Sequence, residues 1–232
     1  MTSLATYTYD DPIATITMDD GKVNVLSPQM LAELNDGLDR AEADNAVVLL
    51  TGRTGVFSAG FDLRVLSAGG LDAKHMVRNG FELGLRILSF PLPVAIACSG
   101  HALAMASFLL LSGDYRVGAS GDFKIQANEV AIGMTMPDFA IEICRQRLTP
   151  AGLNRAVNNA EPFTPEGAVA VGFLDRVVPA NQLSDSARDT ALELSKLNLN
   201  AHAAAKQRLR AGTLATLRAA LESDDRAFPV GD

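Results

Sequence analysis

Tryptophan is absent from this sequence of 232 residues, and cysteine occurs only twice, as Cys98 and Cys144. Both cysteines lie in apolar segments, which is typical of small core residues in a reducing compartment. A disulfide between them stays open, but nothing in the sequence requires one. The three histidines are far apart, and neither an H-x-x-x-H nor a C-x-x-C motif is present. The sequence therefore predicts no metal site.

Long apolar runs and an excess of basic charge are also lacking. The most apolar run, residues 102–111, is about half as long as a membrane span. The first residues contain neither a basic stretch nor a long apolar one, so they do not resemble a secretory signal. The net charge of −7 disfavours binding to nucleic acid or to an anionic membrane surface. We therefore expect a soluble, cytoplasmic protein with neither nucleic acid nor membrane as a partner.

The composition is that of a chain with a large core, because 48% of its residues are hydrophobic and no linker divides it. Alternating residues predict a hairpin at 4–9 and 13–18, and continuous apolar runs predict buried strands at 46–51 and 94–98. Ser27 and Pro28 have the character of a helix start, followed by helical periodicity over 29–43. Further helices are expected at 71–89, at 102–112 and over most of the chain beyond Pro137. This order predicts an α/β fold with a parallel component in its sheet.

Two buried strands lead into turns that contain glycine. Glycines 52, 55 and 60 follow the first strand, and Ser99-Gly100-His101 follows the second. Glycine permits backbone conformations and close approaches that are closed to other residues. Two such turns side by side could direct two backbone N–H groups at one oxygen atom. A plain loop is the alternative interpretation of the first turn.

Glu129 lies in a stretch, residues 123–137, whose only other charged residue is Lys124. Glycine and proline at the end of this stretch indicate a loop, and apolar residues surround the carboxylate in sequence. A carboxyl group that loses hydration has a raised pKa, which suits a general acid or base near neutral pH. An ordinary exposed loop glutamate is the alternative.

Three blocks of the sequence together carry a resemblance to a known family. Residues 57–63 (FSAGFDL) match F-x-A-G-x-D-L, and residues 93–102 (PVAIACSGHA) match P-V-I-A-A-V-N-G-x-A. The third block is GDYRVGA at 113–119, followed by NEV at 128–130, Gly133 and Pro137. Weaker similarity continues over 166–178. In this order and at these separations, the blocks resemble the crotonase (enoyl-CoA hydratase/isomerase) superfamily over roughly residues 4–200.

The resemblance implies a crotonase fold, with a core of repeated ββα units and C-terminal helices. It implies a core domain with an acyl-CoA site over residues 1–178 and a helical trimerisation region over 179–232, assembled as a homotrimer or a dimer of trimers. The implied ligand is an acyl-CoA thioester, whose coenzyme A is part of the substrate, so no separate cofactor is expected. By position, the amides of Phe61 and Met105 would hold the thioester oxygen, and the stretch 59–63 would hold the adenine end of coenzyme A.

Two departures from the family pattern refine the expected reaction. Ala104-Met105-Ala106 stands where the family commonly has three glycines, so the Met105 side chain is expected to crowd the pocket. Phe108 stands where hydratases carry their first catalytic glutamate, which leaves Glu129 alone. A single carboxylate resembles the monofunctional Δ3,Δ2-enoyl-CoA isomerases. An enoyl-CoA hydratase or another lyase or hydrolase of this fold, and a non-catalytic acyl-CoA-binding protein, are the alternatives.

The predicted site thus combines three catalytic residues with a set of substrate-binding ones. Glu129 is the expected proton shuttle, and Phe61 and Met105 supply the expected oxyanion hole. His101 is alternatively a structural histidine, Asp62 a helix cap, and Asn128 a turn former. The expected substrate-binding residues are Val25, Ala59, Gly60, Asp62, Leu63, His101, Phe108 and Asn128.

Overall fold

A sheet of six strands forms the centre of the molecule in a computed structural model that describes residues 2–228. Its strand order is β1-β2-β3-β5-β7-β9, and β1 and β2 form the predicted antiparallel hairpin. The other neighbouring strands pair in parallel. These six strands are β1 (Ala5–Asp10), β2 (Ile13–Met18), β3 (Val47–Thr51), β5 (Val94–Cys98), β7 (Tyr115–Ala119) and β9 (Arg176–Val178).

A second parallel sheet has three short strands in the order β4-β6-β8. Each follows one strand of the large sheet along the chain, and two of them lead directly into a helix, so the repeated ββα core implied by the resemblance is confirmed. The three strands are β4 (Gly55–Ser58), β6 (Gly100–Leu103) and β8 (Ile125–Gln126).

The prediction of a single helix over 102–112 was wrong, because β6 occupies its first part and α4 begins at Met105. The first glycine turn likewise contains the short strand β4. Four-residue strands are too short to show a period-2 pattern, which is why the sequence did not reveal them. A methyl group on Gly100 would lie 2.0 Å from the carbonyl carbon of Gly55, so glycine permits this close pairing of β4 and β6.

Helices cover both faces of the large sheet. The apolar faces of α1 and α3 pack in the main core, and small residues of α8, such as Ala187 and Ala191, pack on the opposite face. The Ser27 hydroxyl caps α1 by accepting a hydrogen bond from Met30 N at 3.2 Å, as the sequence predicts. The helices are α1 (Pro28–Ala43), α2 (Leu63–Ala68), α3 (Gly70–Ser89), α4 (Met105–Ser112), α5 (Asp138–Arg145), α6 (Pro150–Val157), α7 (Pro165–Val171), α8 (Leu183–Ser195) and α9 (Leu199–Ala227).

The long C-terminal helix α9 packs against α3 and α5 of the same chain. Its middle is joined to the end of the large sheet by Lys206 and Arg210, which contact the Asp114 carboxylate at 2.6 and 2.9 Å. Its C-terminal end therefore reaches the region that the sequence assigns to the site. Among residues 2–228, no helix combines the length and the apolar character needed to cross a membrane.

Candidate active site

A cleft of about 700 Å³ opens between α3, the end of α9 and the segment that follows β8. Three residues predicted from the sequence line it, namely Phe61, Phe108 and Glu129. Its walls are mainly apolar. The other lining residues are Leu66, Val77, Phe81, Met134, Thr135, Met136, Pro137, Asp138, Ser223, Asp224, Ala227 and Phe228.

The Phe61 amide belongs to a tightly held turn between β4 and α2. Backbone hydrogen bonds of 2.9 and 2.8 Å join Ala59 and Gly60 to the segment 23–26. The Ser58 hydroxyl accepts a further hydrogen bond from Gly60 N at 3.1 Å. Gly60 has a φ of +86°, a left-handed conformation that favours glycine and that turns the following amide out of the strand direction.

The Met105 amide occupies the equivalent turn between β6 and α4. Ala104 precedes it with a φ of +49°, and Ala104 N donates to Gln126 O at 2.9 Å. The two turns touch each other, since a methyl group on Gly60 would lie 3.4 Å from Met105 N. Within residues 2–228, neither the Phe61 amide nor the Met105 amide donates a hydrogen bond. The fold therefore brings the two turns into contact and leaves both amides without an acceptor among these residues, while their role as an oxyanion hole stays a prediction.

Glu129 is buried in the cleft wall, which excludes the alternative of an exposed loop residue. It directly precedes a short 3₁₀ turn, Val130–Ile132, and only 7% of its surface is exposed. Its Oε2 atom has no hydrogen-bond partner in the described part of the chain. Burial raises the pKa of Glu129 to about 7, although a hydrogen bond from its own amide opposes the shift. Such a carboxyl group exists in both protonation states near neutral pH, as a proton shuttle requires.

Two further carboxylates line the cleft, but neither resembles Glu129. Asp138 is exposed at the start of α5. Asp224, from α9, caps the same helix by accepting hydrogen bonds from Asp138 N and Phe139 N, both at 2.8 Å. Burial raises the pKa of Asp224 despite these two bonds. Both oxygens of Asp224 are thus occupied, whereas Glu129 keeps one oxygen unpaired.

Phe108 faces the cleft from α4 and is almost fully buried, with 1% of its surface exposed. The Met105 side chain, in contrast, does not line the cleft. It is wholly buried and directed at α3, where its Cγ would lie 3.7 Å from a methyl group on Gly80. The expectation that Met105 crowds the pocket was therefore wrong, because the first turn of α4 directs this side chain into the core.

A second groove of about 680 Å³ lies on the other side of the Phe61 turn. Val25 and Asp62, both predicted as substrate-binding residues, line it together with the cationic side chains of Lys22 and Arg64. Asp62 also caps α2, since its Oδ1 accepts a hydrogen bond from Arg64 N at 2.9 Å. This contact confirms the helix-cap interpretation of Asp62.

Six predicted residues line neither the cleft nor the groove: Ala59, Gly60, Leu63, His101, Met105 and Asn128. Gly60 contributes through its backbone. His101 Nδ1 accepts a hydrogen bond from Lys124 N at 3.0 Å, which is a structural role. The Asn128 carbonyl accepts a hydrogen bond from Ile132 N at 3.2 Å and so helps to form the turn after Glu129. Its side-chain Oδ1 is buried without a partner in the described residues.

The sequence did not predict the cleft walls that come from α2, α3 and α9. Leu66, Val77 and Phe81 have the spacing of ordinary core residues on helices, and nothing local distinguishes them. Ser223, Asp224 and Phe228 reach the cleft only because α9 folds back over α3 and α5. No signal within these segments could have identified them.

The sequence matches the family model described as enoyl-CoA hydratase/isomerase over residues 8–230. The chain also resembles solved structures of proteins named as hydratases and as isomerases. It is 47% identical to an enoyl-CoA hydratase from Mycobacterium marinum, with a TM-score of 0.94 over 97% of this chain and 100% of that one. It is 45% identical to a Mycobacterium tuberculosis protein named an enoyl-CoA isomerase in one solved structure, with a TM-score of 0.94 over 98% of this chain and 100% of that one. A second solved structure of the same protein names it a probable enoyl-CoA hydratase.

A mammalian relative is more distant in sequence. The chain is 29% identical to the mitochondrial enoyl-CoA delta isomerase 1 of Mus musculus over 223 residues, which cover 93% of this chain and 76% of the relative. Relatives with hydratase names and relatives with isomerase names thus occur at similar identity. The family is the same for all three, and the reaction must be argued from the site itself.

Proposed function

The chain belongs to the enoyl-CoA hydratase/isomerase family, and from this premise we propose that it isomerises 3-enoyl-CoA to 2-enoyl-CoA with Glu129 as the single proton shuttle. One observation carries the proposal. Glu129 is a buried carboxyl group with an unpaired oxygen and a pKa of about 7, in a mainly apolar cleft. Phe108 lines this cleft at the position that the family resemblance gives to the first glutamate of hydratases. Moving a double bond requires a base that takes a proton at one carbon and returns it at another.

In the proposed mechanism, the ionised Glu129 removes a proton from C2 of the substrate. The electrons delocalise onto the thioester oxygen, which becomes an enolate oxygen and accepts hydrogen bonds from the Phe61 and Met105 amides. A donor aimed at developing charge typically contributes about 3 kcal/mol to lowering a barrier. The protonated Glu129 then returns the proton to C4, the double bond forms between C2 and C3, and the carboxylate is regenerated.

The coenzyme A part of the substrate is assigned to the groove beside the Phe61 turn. Lys22 lines this groove and suits a phosphate group, and Val25 supplies an apolar contact. Arg64 lines it too but pairs with Asp62 at 2.9 Å, and Asp20 adds a second carboxylate. Assembly as a trimer or dimer of trimers and a cytoplasmic location stay predictions of the family resemblance.

Hydration of 2-enoyl-CoA is the second candidate function, because a relative with a hydratase name is 47% identical. Hydration needs a second group to activate water. Asp138 lines the cleft, and its carboxylate oxygens accept no hydrogen bond from residues 2–228. It is exposed, however, so it lacks the environment that distinguishes Glu129.

The test compares wild type, Glu129→Gln and Asp138→Asn on a 3-enoyl-CoA and on a 2-enoyl-CoA. We expect wild type and Asp138→Asn to convert the 3-enoyl substrate, Glu129→Gln to be inactive, and water addition to the 2-enoyl substrate to be negligible. Efficient hydration that is lost in Asp138→Asn would establish the hydratase instead. Thioester binding without either reaction, and unchanged in Glu129→Gln, would indicate a binding protein.

A further inference from the structure

Gly80 lies in the interior of α3 and is buried. A glycine weakens the middle of a helix relative to alanine, because it adds conformational freedom to the unfolded chain. In the structure, a side chain at residue 80 would clash with a neighbouring ring. A methyl group on Gly80 would lie 2.4 Å from Cε1 and 2.5 Å from Cζ of the Phe61 ring. It would also lie 3.7 Å from Cγ of Met105. The side chains of both oxyanion-hole residues therefore meet at this one position of α3.

The Phe61 ring has little room to retreat within the core. Its neighbour Phe81 stands edge-to-face to it, with ring centroids 6.1 Å apart. Phe81 in turn stacks on Phe139 at 4.5 Å, and both of these rings are buried. Carbon atoms in contact are typically about 3.5–4.0 Å apart, so a methyl group on residue 80 must displace the Phe61 ring by about 1 Å or more.

That displacement has two possible directions. The ring could swing into the cleft, where it would occupy space beside Glu129, or it could pull the backbone of residue 61 with it. The turn that holds the Phe61 amide is short, and the amide lies only two bonds from the side chain. Oxyanion donors must be placed within a few tenths of an ångström to act on developing charge.

We propose that Gly80 is a positioning residue of the oxyanion hole: its missing side chain forms a notch in α3 that seats the Phe61 ring and so fixes the Phe61 amide beside the Met105 amide. This role rests on the proposed function of those amides. Gly80 does not touch the reacting atoms; it acts through Phe61.

Gly84, one helical turn further along α3, offers a matched control. A methyl group there would lie 3.4 Å from Ser112 Oγ and 3.5 Å from Phe139 Cζ, which is ordinary contact. Both Gly80→Ala and Gly84→Ala add the same helix-favouring methyl group. We expect Gly80→Ala to lower kcat on 3-enoyl-CoA by at least about 10-fold with little change in KM, since loss of one oxyanion donor costs about 10²–10³ in kcat. We expect Gly84→Ala to keep the wild-type kcat.

The double variant Gly80→Ala/Phe61→Leu separates positioning from a general loss of structure. Leucine lacks the ring atoms that the new methyl group would strike, so kcat should return to the level of Phe61→Leu alone. A rise in KM at unchanged kcat in Gly80→Ala would overturn the proposal, because it would mean that the ring only obstructs the cleft. A loss of kcat that Phe61→Leu does not rescue would overturn it as well.

Crystal structures of the two single variants distinguish failure of this proposal from failure of the proposed function. In Gly80→Ala, the Phe61 amide should be displaced from the Met105 amide relative to wild type, and in Gly84→Ala it should not. An unmoved Phe61 amide in Gly80→Ala would overturn the positioning role whatever reaction the protein performs. If wild type converts neither thioester but the amide moves as expected, the proposed reaction is wrong, whereas the positioning role of Gly80 is supported.

Discussion

Two carboxylates with little solvent exposure, Asp114 and Glu129, have opposite electrostatic surroundings. Asp114, between α4 and β7, contacts Lys206 at 2.6 Å and Arg210 at 2.9 Å, and accepts a hydrogen bond from Val94 N at 2.8 Å. Burial alone would raise its pKa, but His202, whose Nε2 lies 3.9 Å from Oδ2, and the two cations lower it to about 2. Among residues 2–228, no cation offsets the burial of Glu129, and its pKa rises to about 7.

The difference suits Asp114 to a role in folding and Glu129 to the acid–base role of the proposed function. A carboxylate held ionised by two cations cannot exchange protons near neutral pH, but it can attach α9 to the end of the sheet. A buried carboxyl group without a nearby cation is costly to ionise. That cost raises its pKa into the range near neutral pH that acid–base catalysis needs. Phe61 lines the same cleft as Glu129, and its turn touches the one that contains Ala104 and Met105.

The largest effect on stability is expected at Asp114. Asp114→Asn would leave Lys206 and Arg210 buried without their countercharge, and breaking a buried ion pair in this way typically costs about 3–5 kcal/mol. Urea unfolding near neutral pH measures the change. Asp189→Asn, the same substitution at an exposed carboxylate of α8, serves as the control and should alter stability by about 0.5 kcal/mol at most. Equal losses of stability in the two variants would show that Asp114 stabilises the fold no more than an exposed carboxylate does.

A smaller effect of opposite sign is expected at Glu129. Its pKa is raised in the folded state from an ordinary value of 4.5 to about 7, so the folded protein holds a proton that the unfolded chain has already lost. The contribution of Glu129 to stability is therefore greatest below about pH 4.5 and is lost as the pH rises toward 7.

In Glu129→Gln, the side chain does not ionise, so stability is not lost in this way as the pH rises. Relative to wild type, the variant should gain about 2–3 kcal/mol of stability between about pH 5 and about pH 8, since one pKa unit corresponds to about 1.4 kcal/mol. Urea unfolding of both proteins at the two pH values measures the gain. A difference between them that is independent of pH would show that Glu129 is not perturbed by burial.

The smallest effect is expected at Ala104, where the backbone of the cleft side is strained. Its φ of +49° and ψ of −127° lie in a region that favours glycine, and such residues typically cost about 1–3 kcal/mol. Ala104→Gly should therefore raise stability by about 1 kcal/mol after the greater entropy of the unfolded chain is counted. Ala106→Gly, inside α4, should instead lower stability by about 1 kcal/mol or more. Thermal unfolding compares the two, and a loss of stability in both would show that Ala104 is not strained.

Local sequence signals predicted much of this structure. Ser27 and Pro28 marked the start of α1, and the apolar runs at 46–51 and 94–98 marked two central strands. Both features depend on residues within a few positions of one another, which is the range over which periodicity and capping act. The burial of Glu129 does not, because its sequence neighbours Val130 and Ile132 are exposed, whereas Phe61 and Phe108 from distant segments line the cleft with it.

The features that the sequence did not reveal depend on distant residues. The strands β4 and β6 are stabilised by pairing with each other across more than forty residues of chain, as in the Val56–His101 pair. The burial of the Met105 side chain follows from the packing of α4 against α3, which is distant in sequence. The contribution of α9 to the cleft follows from packing that no local pattern encodes. The resemblance to the family supplied the position of the amides, and the structure supplied their surroundings.

The most direct test of the central claim is the pH dependence of kcat/KM for wild type on a 3-enoyl-CoA. This parameter reports the ionisation of the free enzyme. If Glu129 is the base, kcat/KM should rise with pH and level off above an apparent pKa of about 7, because only the ionised carboxylate can remove the proton from C2. A profile that is already level above about pH 5 would mean that the base has an ordinary carboxyl pKa, and would contradict the role of Glu129 as a base perturbed by burial.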